Sequence, residues 1–145
     1  MRDKILTGDA GQYFVAGELS RRGYIAALTV ANTPHFDILV SKADGSNQKA
    51  IQVKTSTGKE KTWILSSRGE NLFNPNIIYV FVILNELNQP IYHIVPSSIV
   101  AEQIKTSHQE WLSGTKKDGS ERKDSTMRKF CDYENKYLDR WDLLD

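Results

Sequence analysis

Eight consecutive apolar residues, Ile77-Ile78-Tyr79-Val80-Phe81-Val82-Ile83-Leu84, constrain the fold more than any other stretch of the chain. Strand side chains alternate between faces, so a run with no polar position needs cover on both sides. The run is far shorter than the roughly 20 residues of a membrane span. Its β-branched and aromatic content reads as a central strand with material packed above and below. At 145 residues, 39% hydrophobic and 26% charged, the chain is expected to form one soluble domain over residues 1–145.

The flanking segments supply that cover. A helix is predicted from Thr7, as its cap, to about Arg22, with Gly23 as the stop. Val15 and Leu19 centre its apolar face, Gln12 lies in line with Leu19, and Glu18 sits at the edge, one turn from Phe14 and Arg22. Strands follow at Tyr24–Val30, after Pro34, and at Lys49–Thr55, the last two joined by the hairpin signal Asp44-Gly45-Ser46-Asn47. Thr62–Ser66 reads as a short strand, and 67–76 as a loop or one helical turn. Beyond the apolar run, Ile91–Val95 is a strand, and Ser97 or Ser98 caps a short helix to about Ile104. Residues 113–126 are polar and read as a long loop, while Tyr137, Leu138, Trp141 and Leu144 should dock the chain end onto the domain.

Three polar side chains stand where burial makes them expensive. Asp37 precedes Ile38-Leu39-Val40, and Gln52 and Lys54 alternate with Ile51 and Val53. Gln52 and Lys54 share a strand face, and if the two strands are neighbours Asp37 meets them at one end of the sheet. Oxygen ligands beside one ammonium suit a hard divalent cation and a phosphate. A single cysteine, Cys131, rules out an internal disulfide and fits a cytoplasmic location. His35, His93 and His108 lack metal-ligand spacing, and no signal peptide or transmembrane stretch is legible. The net charge is only +1, so any nucleic-acid footprint must be local. Residues 42–68 hold Lys42, Lys49, Lys54, Lys59, Lys61 and Arg68 against Asp44 and Glu60.

The ordered segments Gly11-Gln12, Glu18-Leu19, Arg22-Gly23-Tyr24, Asp37 and Gln52-Val53-Lys54-Thr55 resemble the PD-(D/E)xK nuclease superfamily. The chain looks most similar to small bacterial members related to restriction endonucleases and archaeal Holliday junction resolvases. The motif-bearing match covers roughly its first half. The resemblance implies an α/β restriction-endonuclease-like αβββαβ sandwich, with a central mixed sheet flanked by helices. It implies a Mg²⁺- or Mn²⁺-dependent endonuclease that hydrolyses DNA phosphodiesters. Asp37, the Gln52 oxygen and the Val53 carbonyl would hold the ion, and Lys54 would serve the water and phosphate. Gln12 or Glu18 would complete the shell, while Lys59, Lys61 and His35 would touch nucleic acid. By analogy a homodimer could address two strands.

Plainer readings stand beside these. Asp37 could cap a turn, Lys54 guard an edge strand, and Gln52 be a cross-strand amide. Glu18 could pair with Arg22 on a solvated flank. Gln12 and Gln52 are neutral where such nucleases commonly carry glutamate. The second functional reading is therefore a catalytically degenerate nuclease fold that binds nucleic acid or a protein.

Overall fold

The computed structural model describes residues 3–145. Helix α1 (Lys4–Arg21) leads into strands β1 (Tyr24–Leu28), β2 (Ile38–Lys42) and β3 (Lys49–Ser56). Strand β4 (Thr62–Ser66) and a 3-10 turn (Ser67–Asn71) cross to β5 (Ile77–Ile83). Then come β6 (Ile91–Pro96), α2 (Ser97–Ser113), β7 (Met127–Cys131) and a 3-10 turn at Trp141–Leu144.

The main sheet has the order β1-β2-β3-β5-β6. Only β3 and β5 run parallel, with Gln52 opposite Tyr79, so the sheet is mixed. This is the expected α/β sandwich, a central mixed sheet flanked by helices. As the apolar run requires, β5 is covered on both faces. On one, α1 and the chain end pack Val15, Leu19, Trp141 and Leu144 against Ile51, Val53, Val80 and Val82. On the other, Tyr79, Phe81 and Ile83 meet Trp63, Leu65, Ile104 and Phe130. The β6 edge is closed by the chain end: the Ile94 N–H donates to the Tyr137 carbonyl and the Asp139 N–H to that of Tyr92, both at 2.9 Å.

Four local readings differ from expectation. The α1 cap is Asp3, not Thr7: its carboxylate accepts the Ile5 N–H at 2.7 Å, and the Thr7 N–H already bonds the Asp3 carbonyl. Helix α2 continues to Ser113 rather than stopping near Ile104, because nothing interrupts it before Gly114. Strand β7, unforeseen just beyond the polar stretch 113–126, pairs with β4 as a separate two-stranded sheet. The crossover to β5 contains the strand and helical turn read at Thr62–Ser66 and 67–76, where the αβββαβ order places a helix, and the full second helix comes only after β6.

Candidate active site

Strands β2 and β3 pair antiparallel with Ile38 opposite Ile51, and the Asp37 N–H donates to the Ile51 carbonyl at 2.9 Å. That register sets Asp37 beside Gln52, on the face opposite the one Ile38 and Ile51 bury. Here β2 ends, and the Asp37 carboxylate takes the place of a strand carbonyl by accepting the Val53 N–H at 2.7 Å. The same oxygen, Oδ2, accepts from Gln52 Nε2 at 3.0 Å, and Oδ1 accepts from Gln12 Nε2 at 3.2 Å. An ionised carboxylate only accepts, so both amides turn their NH₂ groups toward it. Burial raises the Asp37 pKa above the ordinary aspartate value, outweighing the Val53 N–H and the Lys54 ammonium, which pull it down.

Gln12 reaches across because α1 sits hard against β3. A Cβ on Gly11 would lie 1.8 Å from Thr55 Oγ1 and 2.9 Å from Thr55 Cβ. Only glycine permits that approach, and the approach brings the next residue to the sheet opening. Lys54 and Gln52 line a cleft of about 190 Å³ together with His35, Ser66, Arg68 and Tyr79. His35 is exposed, with φ +69° in the left-handed region. The structure thus brings Gln12, Asp37, Gln52 and Lys54 together, with His35 at the rim. A larger groove of about 870 Å³ runs between α2 and β7, past Trp111 and Tyr133, and contains none of these side chains.

Other candidates stand elsewhere. The Glu18 side chain is only 9% exposed, with Oε1 2.9 Å from Arg22 Nη2 and Oε2 3.5 Å from Arg21 Nε. The Arg22 guanidinium lies over the Trp141 ring at 4.8 Å. Glu18 therefore fastens the helix end to the chain end and makes no contact with Asp37. Lys59 and Lys61 precede β4, whereas the cleft is lined from the far end of that strand at Leu65 and Ser66, about 14 Å away for five residues. Val53 meets the carboxylate through its N–H. Among the described residues no three His, Cys, Asp or Glu side chains gather as a metal cluster. Arg68 and Tyr79 were not singled out as site residues. Tyr79, the one hydroxyl in the apolar run, carried a readable signal.

No protein-family model and no curated protein sequence matches this chain. The fold resembles the solved structure of a bacterial homing endonuclease, I-Ssp6803I, with a TM-score of 0.59 and 14% identity over 99% of this chain and 92% of that one. A second similar structure is the Archaeoglobus fulgidus Holliday junction resolvase Hjc, with a TM-score of 0.47 and 17% identity over 86% of this chain and 83% of that one. At these identities the likeness speaks for the fold alone. No helix among the described residues is long and apolar enough to cross a membrane.

Proposed function

We propose that this protein is a divalent-cation-dependent endodeoxyribonuclease hydrolysing phosphodiester bonds. The observation that carries this reading is the half-buried Asp37 carboxylate, oriented by Gln12, Gln52 and the Val53 N–H, with Lys54 on the same strand face. The donors suit Mg²⁺ or Mn²⁺: one carboxylate with amide and carbonyl oxygens is an all-oxygen set, and Mg²⁺ commonly takes few protein ligands while keeping waters and substrate phosphates. Asp37 and, after rotation of its amide, the Gln52 oxygen would hold the ion, with the Val53 carbonyl as a further ligand. When bound, it would supply Lewis-acid stabilisation and an activated water.

The chain's own residues do the rest. Lys54 stabilises charge developing on the phosphate and positions the attacking water. The Val53 N–H fixes the carboxylate against β3, and Gln12 restrains its other oxygen from the helix side. His35 at the rim, and Lys59 and Lys61 farther out, contact the nucleic-acid backbone. The partner is DNA, and a homodimer would set two such sites against two strands.

The test is Mg²⁺ or Mn²⁺ titration with cleavage followed on duplex, junction, flap and single-stranded DNA. Wild-type cleavage that disappears in Asp37→Ala and in Lys54→Ala supports the reading. One observation favours the degenerate binding module instead: both glutamines spend an amide N–H on Asp37, leaving a single carboxylate at the site. Calorimetry separates the two. Metal binding absent from the wild type and gained by Gln52→Glu would establish a lost site.

A further inference from the structure

The cleft beside Lys54 contains more chemistry than hydrolysis at Asp37 requires. Two cationic side chains, Lys54 and Arg68, line it together with the donors His35, Ser66 and Tyr79, and no carboxylate does. The acid nearest Arg68 in sequence, Glu70, is committed elsewhere, its Oε1 lying 2.6 Å from Arg128 Nε. At about 190 Å³ the space falls below the ~300–1,000 Å³ of small-molecule pockets and suits a compact anion better than a nucleoside.

Tyr79 supplies an independent observation. The residue is 2% exposed, its hydroxyl makes no hydrogen bond among the described residues, and it borders the cleft. A phenol hydroxyl that borders a cleft can donate to a group entering it. Its ring is stacked on Phe81, centroids 5.4 Å apart, and Phe81 is stacked on Phe130 at 4.4 Å, so the hydroxyl is held in place. Burial pushes the phenol pKa up to about 12, so the hydroxyl keeps its proton well into the alkaline range. Gly69 forms the adjoining wall, where an added Cβ would approach the Tyr79 hydroxyl to 3.4 Å and Ile104 Cδ1 to 2.9 Å.

We propose that this cleft is a phosphate subsite on the β5 side of Lys54, with Arg68 supplying charge and Tyr79 a fixed hydroxyl donor. It holds a backbone phosphate of the strand that lies across the Asp37 cluster. The order across the sheet fits. Asp37, immediately before β2, stands beside Gln52 of β3, which pairs with Tyr79 of β5, so Asp37 and Tyr79 are two strand spacings, about 10 Å, apart. Lys54 thus stands between an ion-binding end and an anion-binding end. That the phosphate belongs to nucleic acid rests on the nuclease reading; that the cleft takes phosphate does not.

The experiment has two arms, both without metal, on wild type, Tyr79→Phe and Arg68→Gln. Each substitution removes a group with no ion pair or hydrogen bond among the described residues, so the variants keep the fold, which circular dichroism checks. In the first arm inorganic phosphate is titrated while the ring resonances of isotope-labelled Tyr79 are followed. Saturable shifts in the wild type, lost in Arg68→Gln, are expected; phosphate that leaves the Tyr79 signals unmoved overturns the subsite. In the second arm a labelled DNA oligonucleotide is bound over a range of salt. Tyr79→Phe should weaken binding roughly tenfold, the worth of one hydrogen bond to a charged group. Arg68→Gln should reduce the salt slope by about one phosphate contact. Phosphate shifts without DNA binding would keep the subsite and sink the nuclease reading. DNA binding with unchanged affinity and salt slope in both variants would do the reverse.

Discussion

Asp37 shows how one residue's energetics and its proposed role oppose each other. Burial raises its pKa despite three N–H donors, so the ionised carboxylate is a cost to the fold. Between the ordinary aspartate pKa and the raised one, the folded chain binds a proton more tightly than the unfolded chain, so this group's contribution to stability falls as pH rises. Asp37→Asn removes that cost. Its melting temperature at pH 7 should exceed wild type, by about 2–4 °C for each kcal/mol relieved, while metal binding and cleavage vanish. A melting temperature below wild type would mean that the hydrogen bonds outweigh the burial. Glu18 behaves in the opposite way. Held by Arg22 and Arg21 beside Trp141, Glu18→Gln should cost about 1–2 kcal/mol in urea unfolding and leave kcat unchanged. A large fall in kcat with unaltered stability would return Glu18 to the site. Asp37, Gln52 and Lys54 were legible in sequence because polar residues at strand spacing in apolar runs demand a reason. The partnership of Glu18 with the chain end, 123 positions from Trp141, was not, since only the fold brings them together.

At the level of elements, the site depends on how closely α1 seats on β3. Gly11→Ala forces a methyl against Thr55, where the Cβ position lies 2.9 Å from another Cβ, so rotating the threonine side chain does not relieve the clash. The helix must lift, at about 1–3 kcal/mol for overpacking. Gln12 then withdraws from Asp37. Gly11→Ala should therefore lower both the urea midpoint and cleavage, and Thr55→Gly, which empties the facing position, should restore part of each in the double variant. Independent, additive losses in that cycle would show that the contact does not set the helix position. The elements most legible in sequence were those with strong local signals: the apolar β5, the Gly45 hairpin and the Gly23 stop, whose φ of +92° only glycine adopts readily. Strand β7 was missed because the adjacent charges Arg128 and Lys129 break any apolar alternation in Met127–Cys131. Its period-two burial, with Arg128 and Phe130 inward, is decided by the distant partner β4. The length of α2 was underestimated for a related reason: past Ile104 its apolar face thins, yet no breaker intervenes.

Across the whole molecule, burial of phenols predicts an alkaline weakness that the near-neutral net charge does not suggest. Tyr24, Tyr79 and Tyr92 are each raised to about 12, in every case chiefly by burial. For Tyr24 the hydrogen bond to Asp145 adds to the effect, and for Tyr92 the nearby Glu18 charge does. These three residues sit on β1, β5 and β6, so they report on both edges and the interior of one sheet. Above pH 10 the unfolded chain releases its phenolic protons while the folded chain retains them until about pH 12. The unfolded state then binds fewer protons, and the free energy of unfolding must fall with rising pH across that window. Urea midpoints measured at pH 9 and pH 11 should show this fall. Tyr79→Phe and Tyr92→Phe should each reduce it, because phenylalanine keeps the ring packing and removes the titration. A midpoint at pH 11 equal to that at pH 9 would mean that the sheet opens enough to hydrate its tyrosines. The rigid Tyr79 hydroxyl on which the phosphate subsite depends would then be lost as well.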